Sequence, residues 1–155
     1  VVTRIAQVVD SLLFGDVHVD SAIRDSFIVH STGTAPIIVN AVTLSGLFPN
    51  EYNFSFQSGI TLPYSISPND SLIVYIDFKP KDIEQRNANV IITLNKSASC
   101  SIVKPLLLFG RGVQPLVDIR SRTLAIGRVC VGTTFDTTII IRNPGNAPLI
   151  IDSIM

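Results

Sequence analysis

The side chains that could do chemistry in this sequence of 155 residues are few and widely spaced. Its two histidines are His18 and His30, its two cysteines are Cys100 and Cys130, and they show none of the paired spacings of a zinc site. The many serines include no Gly-x-Ser-x-Gly, the motif that places a nucleophile on a strained turn. Exposed strand histidines therefore explain the pattern better than a catalytic triad does.

Acidic side chains and asparagines also suggest little chemistry. Asp16 and Asp20 could contact a calcium ion at a loop, but too few oxygen ligands accompany them, and solvated loop carboxylates explain them better. The Asn-x-Ser sequons at Asn53, Asn69 and Asn95 matter only in a host that glycosylates secreted proteins. We assign no catalytic, cofactor-binding or metal-binding residue, and we expect neither enzymatic activity nor a cofactor.

The composition excludes two classes of partner. Twelve Lys and Arg balance twelve Asp and Glu, so the chain lacks the basic excess of nucleic-acid binders and of polybasic membrane-surface segments. Although 46% of the residues are hydrophobic, no apolar run approaches the roughly 20 residues of a membrane helix. We expect no membrane insertion, and we expect any signal peptide to lie outside this sequence.

The elements that could position these residues repeat along the chain. The stretch 29–39 recurs as 141–151, shifted by 112 positions, as between Gly33 and Gly145. Each copy has an apolar run, a polar turn with Gly and Ala-Pro, and a second apolar run, which predicts two strands and a tight connection. We expect both glycines to be structural, and a positive φ at either of them would be the reason that another residue is not tolerated there. A repeat at domain-length spacing indicates a tandem array of like domains.

Alternation of apolar and polar residues predicts β-strands throughout, and no stretch has a helical period. The predicted strands are 12–19, 23–30, 37–44, 54–56, 72–78, 88–94 and 102–109, with equivalents of the first three in the second copy. The apolar parity slips at Gly15 and near Asn40, so we expect a β-bulge at each place. Seven to eight short strands in about 110 residues predict an all-β, immunoglobulin-like β-sandwich, used in tandem.

The repeat divides the chain into a complete β-sandwich at 1–113 and the N-terminal part of a second, incomplete copy at 114–155. The second copy lacks the strands equivalent to 72–78, 88–94 and 102–109, which supply most of the facing sheet. We therefore expect the sequence to be a segment of a longer protein, or residues 114–155 to be completed by strands from another chain.

The two cysteines belong to different copies. We expect Cys100 and Cys130 to lie at distant poles, too far apart for the Cα separation of about 7 Å that limits a disulfide. The prediction is that they are not bonded to each other.

Four motifs resemble one known family. They are Leu13-Phe14-Gly15-x-Val17, Gly33-Thr34-Ala35-Pro36, Val74-x-Ile76-x-Phe78-x-Pro80 and Leu106-x-Leu108-x-Gly110-x-Gly112. They resemble the immunoglobulin-like ASH family, of the abnormal-spindle and Hydin type and related to major sperm protein. The chain looks closest to the bacterial extracellular version found in choice-of-anchor D proteins. The resemblance covers residues 2–113 fully, and 114–155 as the opening of a second copy.

The resemblance implies a non-catalytic structural or adhesive repeat, and it carries over no functional residue. The leading hypothesis is a spacer, stalk or filament element of a large secreted or cell-surface bacterial protein, acting through protein–protein contacts. The alternative is a cytoplasmic ciliary or centrosomal scaffold that binds proteins through sheet edges. A carbohydrate-binding domain is the weakest hypothesis, because the chain has no Trp and only three Tyr.

Overall fold

The computed structural model describes residues 3–97, 100–120 and 123–154, with all their side chains except those of residues 96, 97, 100 and 101. Across these residues the strands are β1 Ala6–Gln7, β2 Ser11–His18, β3 Ile23–Ser31, β4 Ile37–Gly46, β5 Tyr52–Phe56, β6 Tyr64–Ile66, β7 Ser71–Phe78, β8 Glu84–Gln85, β9 Ala88–Ser97, β10 Cys100–Val113, β11 Asp118–Ile119 and β12 Ile141–Arg142. A single 3₁₀ turn, Pro49–Glu51, precedes β5. In the described part of the chain, no helix is long and apolar enough to span a membrane.

Two sheets make up the first unit, which confirms the predicted all-β sandwich. One has the strand order β1-β3-β7-β5, and the other has the order β2-β10-β9-β4-β6, with β8 pairing to β10. Strand β2 runs parallel to β10, whereas the other pairs in these two sheets are antiparallel. A separate two-stranded sheet, β11-β12, lies in the later part of the chain.

The core of the sandwich follows from strict alternation along the central strands. On β7 every second residue is buried, and these are Leu72, Val74, Ile76 and Phe78. Strands β9 and β10 contribute their own alternate residues to the same apolar cluster. A side-chain period of two places one face of each strand in the core, so the apolar positions fix the register of the sheet.

Both predicted β-bulges are confirmed. The pairing of β10 with β2 moves from Phe109↔Leu13 to Gly110↔Gly15, which leaves one extra residue in β2, and Gly15 has a φ of +68°. The pairing of β4 with β9 skips Asn40 in the same way. Each bulge restores the apolar residues that follow it to the core side.

Three aromatic rings and one glycine close one end of the core. Ring centroids are 4.6 Å apart for Tyr52 and Phe78 and 5.5 Å apart for Phe14 and Phe78. The Tyr52 hydroxyl donates a hydrogen bond of 2.7 Å to the Arg86 carbonyl, and burial raises the pKa of Tyr52, helped by the nearby Glu51 carboxylate. A Cβ at Gly110 would collide with the Phe78 ring and lie 2.8 Å from Tyr52 Oη.

The strands predicted in the second copy are largely absent from the described residues after 122, so this expectation was wrong. There the backbone pairs as a strand only at Ile141–Arg142, opposite Asp118–Ile119. The reason is that strands equivalent to β7, β9 and β10 are missing from this part. A strand without neighbours has no partner for its N–H and C=O groups.

Neither Gly33 nor Gly145 adopts a positive φ, so that reason for a structural glycine does not apply. Glycine is required there for a different reason, which is the close approach of another backbone segment. A Cβ at Gly33 would collide with the Thr3 carbonyl oxygen and lie 2.8 Å from the Ile5 nitrogen. The constraint is therefore one of space and not of dihedral angle.

Gly110→Ala should lower the free energy of unfolding by roughly 1–3 kcal/mol, because the new methyl group overpacks a core that is already filled by Phe78 and Tyr52. Chemical denaturation of the chain measures this effect. Ser65→Ala, at an exposed position of β6, is the control and should leave stability nearly unchanged. Equal stabilities of the Gly110→Ala and Ser65→Ala variants would show that the core accommodates the added methyl group, and this would contradict the prediction.

Candidate interaction surface

The structure places His30 beside Ser71, a pair that sequence spacing did not suggest. They lie opposite each other on β3 and β7, and His30 Nδ1 is 2.8 Å from Ser71 Oγ. The side chain of Asp70 accepts a hydrogen bond of 2.8 Å from the backbone N–H of Ser71, and no hydrogen bond from a third group to the imidazole is seen among the described residues. An activated nucleophile needs a base that a third group orients. The pair is therefore best described as a solvent-exposed contact between neighbouring strands.

The other candidate residues are dispersed. His18 is exposed at the end of β2, and the Asp16 carboxylate lies 3.6 Å from Arg111 Nη1 rather than among other oxygen ligands. No group of three or more His, Cys, Asp or Glu that could hold a metal occurs among the residues that the structure describes. Asp20 occupies a turn with a φ of +65° and donates its backbone N–H to the Pro80 carbonyl.

The cysteine and sequon residues can be placed only in part. Cys130 is a free, exposed thiol. The side chain of Cys100 lies outside the described residues, so the pairing prediction stays a prediction. Asn53 and Asn69 are exposed, whereas the Asn95 side-chain oxygen accepts a hydrogen bond of 2.7 Å from Asn40.

A buried carboxylate, Glu51, belongs to a structural cluster. Its Oε2 is 3.9 Å from Arg86 Nε, beyond hydrogen-bond distance, and Arg86 Nη2 is 3.0 Å from Asp82. The guanidinium also lies 4.6 Å from the centre of the Phe48 ring. Arg86 therefore compensates a buried charge and joins the chain around β8 to the core.

One outer depression beside β2 and β10 has a volume of about 390 Å³. Leu13 and Phe109 line its apolar part, and Asp16 and Arg111, which pair with each other, line its polar part. A sugar site needs aromatic rings for stacking and free polar groups for hydrogen bonds, and this depression has one phenylalanine and a carboxylate that is already paired with Arg111. The depression gives no specific support to carbohydrate binding.

The same set of hydrogen bonds, between a glycine-containing turn and a backbone segment that crosses it, occurs at two places in the structure. In the first unit, the turn around Gly33 holds the N-terminal segment: Thr34 N–H donates to the Thr3 carbonyl, and Thr3 N–H donates to Thr34 Oγ1. In the second, the turn around Gly145 holds Gln114 in the same way. Asn146 N–H donates to the Gln114 carbonyl, and Gln114 N–H donates to Asn146 Oδ1.

We call the second arrangement, Gln114–Leu116 held by Asn143–Ala147, the junction clasp. A Cβ at Gly145 would collide with the Gln114 carbonyl oxygen and lie 2.7 Å from the Leu116 nitrogen. Asn146 Nδ2 also donates a hydrogen bond of 2.9 Å to the carbonyl of Gly112, within β10 of the first unit. The clasp thus ties the turn at residues 143–147 to strand β10.

The clasp also explains why the first segments of the two copies match only loosely in sequence. The turns are related by 112 positions, but Thr3 and Gln114, which occupy equivalent places, are 111 positions apart. One residue more lies between the segment and the turn in the second copy, because Thr3 and Thr34 are 31 positions apart and Gln114 and Asn146 are 32 apart.

Further backbone details recur at the shift of 112. Gly15 and Gly127 both have a positive φ, at +68° and +62°, as do Asp20 and Gly132, at +65° and +85°. The same turn bond closes both places, from Ser21 N–H to the His18 carbonyl and from Thr133 N–H to the Cys130 carbonyl. The local geometry therefore repeats even where no strand forms.

Apolar side chains that are buried in the first unit are exposed in the second. The exposed fraction rises from 2% at Phe27 to 52% at Ile139, and from 0% at Val39 to 52% at Ile151. Leu124, Ile126 and Val129 are exposed as well, whereas their counterparts Leu12, Phe14 and Val17 are buried.

Comparison with known proteins identifies the fold and no family. No protein-family model matches the sequence, and no curated protein is similar to it. Solved structures do match: a protein of unknown function from Porphyromonas gingivalis W83 has a TM-score of 0.57 and 13% identity, and the match covers 70% of this chain. The match covers 47% of that protein, so the chain spans about half of its length.

Two further structures have the same fold. The ASH/PapD-like domain 7 of human CEP192 has a TM-score of 0.54 and 10% identity, over 72% of this chain and 87% of that domain. The VesB protease of Vibrio cholerae has a TM-score of 0.57 and 12% identity, over 68% of this chain and 31% of the protease. The chain therefore has the immunoglobulin-like β-sandwich fold that these structures share. The match to a protease covers only part of it and gives no positive sign of catalysis.

Asn146→Ala should loosen the junction clasp, because it removes both side-chain hydrogen bonds, to Gln114 N–H and to the Gly112 carbonyl. Losing the acceptor for Gln114 should speed amide exchange at that residue roughly fivefold, equivalent to about 1 kcal/mol. Asn146→Thr, which copies Thr34, is the matched control and should retain most of the protection at Gln114. An unchanged exchange rate in Asn146→Ala would contradict the described clasp.

Proposed function

We propose that the chain is a non-catalytic structural or adhesive repeat of a large secreted or cell-surface bacterial protein, in which it acts as a spacer, stalk or filament element. Residues 1–113 form one complete unit, and 114–155 begin a second copy. The junction clasp is the observation that carries this proposal. The contacts that close one unit on its own N-terminal segment are reused to attach the next unit.

The physical character of the junction supports a spacer. Strand β10 runs directly into the clasped segment, and the joining residues 112–116 are not rich in Gly and Ser as a flexible tether is. Hydrogen bonds from the clasp reach Gly112 on one side and Leu116 on the other. Consecutive units are consequently held in a restricted orientation, which suits a stalk that must transmit position or force.

A cytoplasmic scaffold of the ciliary or centrosomal type is the second candidate. The likeness to an ASH/PapD-like domain of human CEP192 favours it, although the identity is only 10%. Both candidates use the same fold and bind proteins, and they differ in the compartment. We favour the extracellular setting because the motifs resemble those of choice-of-anchor D proteins. A carbohydrate-binding domain is a third and weaker candidate.

In-frame deletion of one 112-residue period should shorten the parent protein by the length of one unit. Any binding or enzymatic activity of its other domains should be retained. A unit with strands of about ten residues is about 33 Å long, from a rise of about 3.3 Å per residue. Electron microscopy or small-angle scattering of the purified protein measures the change. Loss of an enzymatic or binding activity at unchanged length would contradict the spacer role.

Antibodies against residues 3–113 test the compartment. Labelling of intact, unpermeabilised cells, removed by added protease, is the expected result. Labelling only after lysis would favour the cytoplasmic scaffold instead.

A further inference from the structure

We propose that the outer face of the larger sheet binds the same face of a second copy of this chain, about a two-fold axis that runs parallel to β2 and β10. The apolar part of this face, which we call the outer stripe, consists of Leu13 on β2 and of Val103, Pro105, Leu107 and Phe109 on β10. The inference rests on the proposed role as a filament element and deepens it, because it names the surface through which two copies associate.

Strand β10 is apolar on both of its faces. Leu106 and Leu108 point into the core and are fully buried, whereas Leu107 and Phe109 point outward and are exposed. Leu13, which lies opposite Phe109 on β2, is 73% exposed. A strand with one solvated face normally alternates apolar and polar residues, and a nearly continuous apolar run is typical of strands that are covered on both faces. Strand β10 therefore has the sequence of a strand whose outer face is covered as well.

The smaller sheet shows what a solvated face of this sandwich looks like. On β7 the outward residues are Ser71, Ile73, Tyr75 and Asp77, and Asp77 forms a two-pronged ion pair with Arg24, at 2.7 and 2.8 Å. That face alternates in the ordinary way. The apolar outer stripe is thus particular to one sheet, and it belongs to the first sandwich, so its exposure does not depend on residues 114–155.

Two charged side chains beside the outer stripe select its occupant. Asp16 and Arg111 lie opposite each other on β2 and β10, and Arg111 Nη1 is 3.6 Å from Asp16 Oδ2. Their side chains remain 60% and 38% exposed, so each can take a second partner. Rotation about an axis between β2 and β10 exchanges the places of the two strands. It sets Asp16 of one copy against Arg111 of the other, and Leu13 against Phe109.

A second copy is complementary at both of these contacts. The register within one chain pairs Leu13 with Phe109 and Asp16 with Arg111, and a two-fold axis repeats the same pairs between chains. An occupant with a single sign of charge would oppose either Asp16 or Arg111. The chain has no net charge, so two copies do not repel each other at a distance. Aligned packing of two sheets, about 10 Å apart, provides the geometry.

The association of two single chains should be weak. Strand β2 is the edge of its sheet, so the overlap is only two strands wide. Interfaces below about 1,200 Å² are typical of transient contacts. Because the axis runs along the strands, both copies point in the same direction. Tandem units of two parallel filaments then meet in pairs, and multivalency strengthens the weak single contact.

The test is sedimentation equilibrium of the full chain over a wide range of protein concentration. Asp16→Arg and Arg111→Asp each set like charges against each other at both contacts of the dimer, and each should weaken self-association roughly tenfold. An equimolar mixture of the two variants restores opposite charges at both contacts. The mixture should associate at least as tightly as the original chain.

Two further variants complete the design, and denaturation curves establish that every variant is folded. Leu13→Ser removes the most exposed side chain of the outer stripe and should also weaken association. Asp25→Arg makes the same change of charge on β3, away from this face, and is the matched control that should leave association unchanged.

Three results would overturn the proposal. The original chain stays monomeric, or Asp16→Arg and Arg111→Asp leave its association unchanged, which would assign the contact to another surface. The mixture of the two variants fails to associate, which would show that the occupant is not a second copy. The spacer role survives each of these results, because unit deletion measures length and not association.

Discussion

In the described part of this protein the long β-strands form where a second sheet covers them, and the rest of the structure depends on that constraint. Strand β7 lies between β3 and β5, and its inward residues are almost completely buried. Burial of such side chains is worth roughly 1.5–3 kcal/mol each, whereas an isolated strand pair is marginal in water. In the second copy the same alternation of residues, without its covering layer, forms only the short ladder at Ile141–Arg142. Strand formation here is thus set by tertiary packing more than by local propensity.

Close approach of two backbones is the second constraint, and it explains the glycines at the two repeated turns. At Gly33 and Gly145 a carbonyl oxygen occupies the space that a Cβ would need. The same device closes the first unit on its own N-terminal segment and fastens the second copy to the first. Asn146 extends it, because its side-chain amide accepts from Gln114 N–H and donates to the Gly112 carbonyl at once.

Much of this fold could be predicted from the sequence, because alternation and parity are direct consequences of strand geometry. The two bulges follow from parity slips, and the main strands follow from apolar residues at every second position. Short strands such as β6 and β8 could not be predicted, since two or three residues carry no period and their pairing is imposed by β4 and β10. The reason for Gly33 was missed because spatial crowding by a distant segment leaves no local pattern.

The contacts of the candidate site were harder to foresee for the same reason. His30 and Ser71 meet only because the register of β3 and β7 brings together residues 41 positions apart. Glu51 and Arg86 meet across a loop and a short strand. Such contacts depend on strand register and on the path of the loops between strands. Neither of these leaves a local pattern in the sequence, so the partners of each side chain could be read only from the structure.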